Sequence, residues 1–323
     1  MAIDRYNCEF VPSEIKAALR GRYNIGPEIA VGGQGTVFRA TRTSLPDGTA
    51  VNDDVALKLH FDRRKSARLQ PEITATENIR HPNLARLIEH GDFDVGGRHT
   101  RYVAWEFIDG QPLSVLLKNG PLLESEVLAI GRDVSAAIAE IWSHRVIHGD
   151  IKPSNIMLRS SDGYIMVGAA ASAVLIDLGG ARHLDQDRAR ATLRPSRDSD
   201  ENERRAAFKP FGTRGYFSPE QIRGARALSC SSDVFSLGVV MLQCLLGRHP
   251  TDYDQAALAD GVRASGGRLA ASGSFLSTLD RMLSVLPQSR PNPEELSRRF
   301  HGLRQAMQAK FAKGPCEPVK AQE

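Results

Sequence analysis

With 323 residues, 41% hydrophobic and 25% charged, the chain is long enough for two compact lobes with cores of their own, or one large domain. A net charge of +4, spread throughout, does not call for nucleic acid or a membrane surface as partner. Cys8, Cys230, Cys244 and Cys316 are far apart with no paired spacing, which speaks for free thiols in a reducing, cytoplasmic compartment and against a zinc site. There is no basic-then-apolar leader segment, and the longest apolar runs, 165–176 and 234–247, are too short to span a bilayer.

The spacing over 12–20 predicts a short helix, opened by Pro12 and closed by Gly21, read as a packing or docking extension. From Ile25 the chain alternates like a strand, breaks at Gly32, Gly33, Gln34 and Gly35, and resumes through Thr36, Val37 and Phe38. Glycines there let backbone N–H groups close over phosphates, although such clusters are more often only tight turns. Val55, Ala56 and Leu57 then lead to Lys58: either an amine snorkelling from a strand edge or one that pairs phosphates. Tyr102 to Glu106 reads as another strand, and 122–144 as a helix whose apolar stripe is Leu123, Val127, Ile130, Val134, Ile138 and Ile141.

His148-Gly149-Asp150-Ile151-Lys152-Pro153-Ser154-Asn155 follows. A phosphoryl-transfer transition state is mostly charge to be positioned and neutralised, with one carboxylate to orient the attacking hydroxyl. Asp150 fits that carboxylate, Lys152 can reach the moving phosphoryl oxygens, and Asn155 can hold a magnesium ion through its side-chain oxygen. Val174, Leu175 and Ile176 form an apolar strand ending in Asp177-Leu178-Gly179, after a stretch 160–173 read as irregular. Between His183 and Phe208 both charge signs are dense, without apolar periodicity, which reads as a mobile loop carrying Thr192, Ser196 and Ser199. Gly212-Thr213-Arg214-Gly215-Tyr216-Phe217-Ser218-Pro219-Glu220 closes it.

These segments resemble, in order, motifs of the Hanks-type serine/threonine protein kinase family, and the layout resembles a bacterial member. The loop at 148–155 resembles H-R-D-x-K-x-x-N, with Gly149 where the family usually has arginine. The hairpin resembles G-x-G-x-x-G-x-V with Ala30 at the first glycine, Asp177-Leu178-Gly179 resembles D-F-G, and 212–220 resembles G-T-x-x-Y-x-A-P-E with Ser218 for alanine. The resemblance implies an α+β, bilobal fold: an N-terminal extension at 1–22, a kinase domain at 23–311 and a polar tail at 312–323. A β-rich N-lobe would span 23–108 and a mainly helical C-lobe 109–311, with the activation segment at 177–220.

It further implies ATP with magnesium, manganese able to substitute, and a protein acceptor bearing serine or threonine. Ile29, Gly32, Gly33, Gln34, Gly35 and Val37 would cover the nucleotide, with Ala56 and Met157 against the adenine and backbone groups of Glu106 and Ile108 on its edge. Trp105 would close the back of the pocket and make the adenine site shallow, or be an ordinary core tryptophan. Lys58, anchored by Glu72, would fix the α- and β-phosphates, Asn155 and Asp177 would hold metal, and Thr213 would hydrogen-bond Asp150 and Lys152. Glu220 would pair with Arg290, and Asp233 would brace the catalytic-loop backbone.

Without the arginine at 149, a phosphate on the activation segment loses one bidentate partner, so activity should not depend strictly on phosphorylation there. Phosphatase treatment followed by an activity assay checks this, and the treated protein should remain active. Two other readings stand beside the protein kinase. His-Gly-Asp also occurs in small-molecule phosphotransferases such as aminoglycoside kinases, but those lack the 212–220 platform. A pseudokinase scaffold would require a lost lysine, base or metal ligand, whereas Lys58, Asp150, Asn155 and Asp177 are all present.

Overall fold

The computed structural model describes residues 11–32, 35–60, 73, 76–161, 164–165, 167, 172–178, 181–183, 212–223, 228–250 and 271–312. The chain divides into two compact units, one of residues 1–81 and 85–108, the other of residues 82–84 and 109–323.

The first unit begins with helix α1 (Pro12–Ala18), where proline at the first turn needs no N–H partner. Arg20 (φ 54°) and Gly21 (φ 71°) then turn left-handed and end it. Five strands follow: β1 (Tyr23–Gly32), β2 (Gly35–Ser44), β3 (Ala50–His60), β4 (Leu87–Val95) and β5 (Arg98–Glu106). They form one antiparallel sheet in the order β1-β2-β3-β5-β4. β1 slips register between Ile25 and Glu28, around Pro27, which has no N–H to donate to the ladder.

Alternate residues of these strands turn inward as the pleat requires. Phe38, Ala40, Val55, Leu57, Leu59, Phe93, Val95, Tyr102 and Ala104 form the core with Ile15 and Leu19 of α1. The N-terminal helix thus completes the packing of the sheet it precedes. Arg22, just after α1, hydrogen-bonds Glu89 of β4; Arg42 of β2 (3.5 Å) and the hydroxyl of Tyr102 of β5 meet the same carboxylate.

In the second unit, β6 (Gly110–Pro112), β8 (Ile156–Ser161) and β10 (Ala173–Leu175) form an antiparallel sheet in the order β10-β8-β6. β7 (Val146–Ile147) lies between them in sequence and pairs with β11 (Arg182–His183). The hairpin after β8 is more regular than expected over 160–173: β8 reaches Ser161, and β9 (Tyr164–Ile165) pairs back on it.

Helix α2 (Glu124–Ser143) buries Val127, Ile130, Val134, Ile138 and Ile141 completely. Leu123 departs from the expected stripe and is 71% exposed, because it is the extended N-cap residue and lies before the first helical turn. α2 packs against α4 (Cys230–Leu246) and α6 (Pro293–Ala312), and α5 (Gly273–Met282) packs against both α4 and α6; the short α3 (Pro219–Ile222) precedes them. α4 is buried almost continuously from Ser232 to Leu242, as expected for a helix apolar on all faces.

Candidate active site

In the first unit, Gly32 and Gly35 pair directly across the β1–β2 turn. Gly35 has φ 150°, and a Cβ there would lie 2.0 Å from the carbonyl oxygen of Leu59. Glycine at 35 is therefore required by the approach of β2 to β3, whatever the turn covers. Ile29 is exposed and Val37 is half-buried. Gly33 and Gln34 lie outside the described residues.

Lys58 does not end its strand: β3 continues to His60, and Lys58 pairs with Val37 on one side and Val103 on the other, 8% exposed. A side chain this enclosed is not the solvent-reaching lysine of a strand edge. Ala56 sits between Arg39 and Trp105 in register. Glu72 lies outside the described residues. Trp105 packs, partly buried, on Ile73, Leu87 and Val103, so it is a core side chain of this unit. The N–H of Glu106 donates to the carbonyl of Arg86 at 2.8 Å, and Ile108 is buried.

In the second unit, the loop between β7 and β8 is held from three sides. Asp233, near the start of α4, is 1% exposed and accepts the N–H groups of His148 and Gly149, both at 2.9 Å. Burial pushes the Asp233 carboxyl above its usual range, while the two N–H groups favour the charged form. Gly149 has φ 76°, a left-handed conformation that disfavours residues with a Cβ by roughly 1–2 kcal/mol. Glycine here thus relieves backbone strain as well as removing an arginine.

His148 is wholly buried. Its Nδ1 accepts the N–H of Asp150 at 3.2 Å, and its Nε2–H donates to the carbonyl of Ile176 at 3.1 Å. One ring thus ties the loop to the residue before Asp177, and the two bonds select the tautomer with its proton on Nε2.

Asp150 is the centre of this loop. Its Oδ2 is 2.7 Å from the ammonium of Lys152 and 3.3 Å from Nδ2 of Asn155, and its Oδ1 accepts the hydroxyl of Thr213 at 2.8 Å. Lys152 also donates to Thr213 at 2.8 Å. Charge-assisted bonds of this kind fix a carboxylate's orientation strongly. The side chains of Asp150 and Lys152 keep 15% and 25% exposure, so the group stays reachable.

Asn155 donates Nδ2 to the carbonyl of Asp150 at 2.9 Å, which turns its oxygen to the other side of the amide. Its own carbonyl accepts the N–H of Ile176 at 2.9 Å, which brings residues 155 and 177 together at the ends of paired β8 and β10. Asp177 has φ 61°, a conformation uncommon for a side-chain-bearing residue, just where the strand stops. Met157 is half-buried on β8, between Val174 and Pro112.

After Thr213, a tight turn (Arg214–Tyr216) leads to α3. Ser218 and Gln221 cap that helix reciprocally: the N–H of Ser218 donates to Gln221 Oε1 at 2.8 Å, and the N–H of Gln221 donates to Ser218 Oγ at 3.4 Å. Gln221 Nε2 then reaches the carbonyl of Gly149 at 3.4 Å. Glu220 forms a bidentate pair with Arg290, at 2.6 and 2.9 Å, and also accepts Ser232 Oγ at 2.8 Å. Burial raises the Glu220 carboxyl, but the Arg290 bonds and charge outweigh it and the net shift is downward.

The family model of the protein kinase domain matches residues 23–301. This chain belongs to the protein kinase family. The kinase domain is similar to serine/threonine-protein kinase pkn3 of Myxococcus xanthus, 33% identical over 239 residues that make up 73% of this chain and 39% of that protein. It is similar to serine/threonine-protein kinase PrkC of Bacillus subtilis (28%, covering 74% of this chain and 32% of PrkC). It is also similar to PknA of Mycobacterium tuberculosis (29%, covering 75% of this chain and 51% of PknA). The chain therefore spans between about a third and a half of the length of these curated relatives. The family implies use of ATP and a divalent metal.

Three residues that hold the site had no assigned role in the sequence: His148 in the loop, Gln221 in α3 and Ser232 in α4. The position of His148, two before Asp150, was the available signal. Ser218 and Gln221 carry the local S-x-x-Q spacing of a helix cap, but nothing local marks the reach of Gln221 to Gly149, 72 residues away, or of Ser232 to Glu220, 12 residues away. Among the described residues, no helix is long and apolar enough to cross a membrane. Thr192, Ser196 and Ser199 lie outside the described residues.

Proposed function

We propose that this kinase domain transfers the γ-phosphoryl group of ATP, with magnesium, to serine or threonine hydroxyls of proteins. The observation that carries the reading is the Asp150 carboxylate, oriented at once by Lys152, Asn155 and Thr213 at 2.7–3.3 Å. A carboxylate held this way is suited to accept a hydrogen bond from an acceptor hydroxyl and to take its proton as the oxygen attacks. Lys152, beside it, offsets negative charge on the group in transit.

Hard oxygen donors suit magnesium, which usually takes one or two carboxylates and leaves its other positions to water and phosphate. Asp177 and the side-chain oxygen of Asn155 fit that pattern. Among the described residues, no cluster of three acidic, histidine or cysteine side chains offers an all-protein cage instead. When bound, the ion would neutralise charge on the phosphates. Lys58 is assigned to the α- and β-phosphates, with Glu72 as its anchor. The segment from Ile29 through Gly32, Gly33, Gln34 and Gly35 to Val37 covers the nucleotide, and manganese can replace magnesium. Ala56, Met157 and backbone groups of Glu106 and Ile108 receive the adenine.

A protein acceptor is favoured over a small molecule because Thr213, in the 212–220 segment, shares its hydroxyl between Asp150 and Lys152. The proposal includes a reducing, cytoplasmic setting, supported by free Cys230 and Cys244, whose thiols burial pushes up and makes unreactive.

Incubation with γ-labelled ATP, magnesium and a protein acceptor should yield labelled phosphoserine or phosphothreonine and no phosphotyrosine. Label transferred to an aminoglycoside and to no protein would overturn the reading. Lys58→Met should lower kcat/KM roughly 10²-fold by removing one fixed cation. A steady-state rate within a few-fold of the parent would remove Lys58 from the scheme.

A further inference from the structure

The turn that carries Thr213 toward Asp150 is itself held from behind. Tyr216 N–H donates to the Thr213 carbonyl at 2.9 Å and closes the turn. Its other contacts come from α4 and the residues just after it. Ser236 Oγ donates to the Tyr216 carbonyl at 2.7 Å, and the Tyr216 hydroxyl donates to Gln243 Oε1, also at 2.7 Å. Helix α4 is capped by Gly247 (φ 68°), whose N–H returns to the carbonyl of Gln243 at 2.8 Å. That left-handed cap redirects the chain, and two residues later His249 meets the turn.

His249 Nε2–H donates to the Gly215 carbonyl at 3.2 Å, and its ring stands edge-to-face on Tyr216 with centroids 4.9 Å apart. The contact is close enough to specify its neighbour. A Cβ on residue 215 would lie 2.7 Å from Nε2 of His249, so the ring reaches the backbone only because residue 215 is glycine. Arg214 and Gly215 are exposed on the other side. The turn therefore has one face fixed by Ser236, Gln243 and His249 and one face open, next to the hydroxyl that touches Asp150.

We propose that His249 is a positioning residue for the protein acceptor. It holds the Arg214–Tyr216 turn where an acceptor chain lies against it, and so sets affinity for the acceptor and not for the nucleotide. Reacting groups are sensitive to displacements of about an ångström, and a side chain that fixes a turn beside the catalytic carboxylate acts at that scale. Sequence alone offers no hint of this, since His249 lies three residues past the end of α4 and 34 positions from Gly215. The proposal rests on the protein kinase reading above.

Steady-state kinetics with a protein acceptor test it. His249→Ala removes one hydrogen bond and one ring contact and should raise the acceptor KM about tenfold, with the ATP KM within twofold of the parent. His249→Gln, which can present an N–H at the same reach, should recover most of the loss; His249→Phe, which keeps only the ring, should recover less. Gly215→Ala should raise the acceptor KM by displacing the imidazole, and the double variant His249→Ala/Gly215→Ala should be no worse than the poorer single one. An unchanged acceptor KM in His249→Ala overturns the proposal while leaving the kinase reading intact. So does a parallel loss for ATP and acceptor that His249→Gln does not rescue. A parent protein that transfers no phosphate to any protein overturns both.

Discussion

Replacing Asp150 by alanine should lower the turnover of phosphate transfer by about 10²–10⁴-fold, the usual contribution of a positioned proton acceptor. The carboxylate organises its surroundings: Lys152 and Asn155 meet one oxygen and Thr213 the other. Alanine removes the acceptor for all three, so the acceptor hydroxyl loses its orienting partner and Lys152 loses the charge that fixes its place. Asparagine should fare little better: its oxygen can still face Lys152, but a neutral amide cannot take the proton of the attacking hydroxyl. The loss should lie in kcat, with the ATP KM changed little, because none of these contacts involves the residues assigned to the adenine. Turnover within a few-fold of the parent would remove Asp150 from its role, and would bring back the reading of a scaffold that only binds.

Glu220→Gln should lower stability by about 3–5 kcal/mol, the cost of leaving one member of a buried ion pair without its partner. The Arg290 side chain has 0% exposure. It donates to both carboxylate oxygens and to the carbonyls of Ser231 and Ser284, each of these two at 2.8 Å, and lies over the ring of Phe235 at 4.9 Å. Glutamine keeps the shape but supplies one neutral oxygen to a guanidinium with no access to water. For a domain of this size the melting temperature should fall on the order of 10 °C, measured by calorimetry or circular dichroism.

Acid should act on the same pair. The folded-state pKa of Glu220 lies below its ordinary value, so its stabilisation is fully present above the unfolded-state value near ~4.3 and is lost as pH falls through the lower, folded value. The parent should therefore lose more stability than Glu220→Gln on going from pH 5 to pH 3. Equal acid slopes for the two proteins would mean that the pair does not hold the α3–α4 region as described.

Much of this was legible because each signal lay within a few residues of the element it marks. Pro12 and Gly21 bracket α1, the run from Tyr102 to Glu106 marks the end of β5, and the stripe from Val127 to Ile141 marks the buried face of α2. The loop chemistry was equally local: Asp150, Lys152 and Asn155 occupy one short stretch, and their residue types suit a carboxylate, a cation and an amide around a phosphate. Long-range contacts such as Asp233 with the catalytic-loop backbone, and Glu220 with Arg290, followed from resemblance to the kinase family and not from the pattern of the residues themselves.

What only the tertiary structure decided is how those side chains are held. The ring of His148 joins Asp150 to Ile176, Gln221 reaches the carbonyl of Gly149, and His249 seats on a turn 34 residues away. Apart from the two-residue step from His148 to Asp150, each of these bonds spans a sequence separation that carries no periodicity, because its geometry depends on how strands and helices pack, and hydrogen bonds are directional over tenths of an ångström. Gly35 shows the same division: its type was evident, but its φ of 150° and the nearness of the Leu59 carbonyl were not. Local propensity and hydrophobic period determined which residues lie in which element, whereas packing determined which carbonyl each side chain meets.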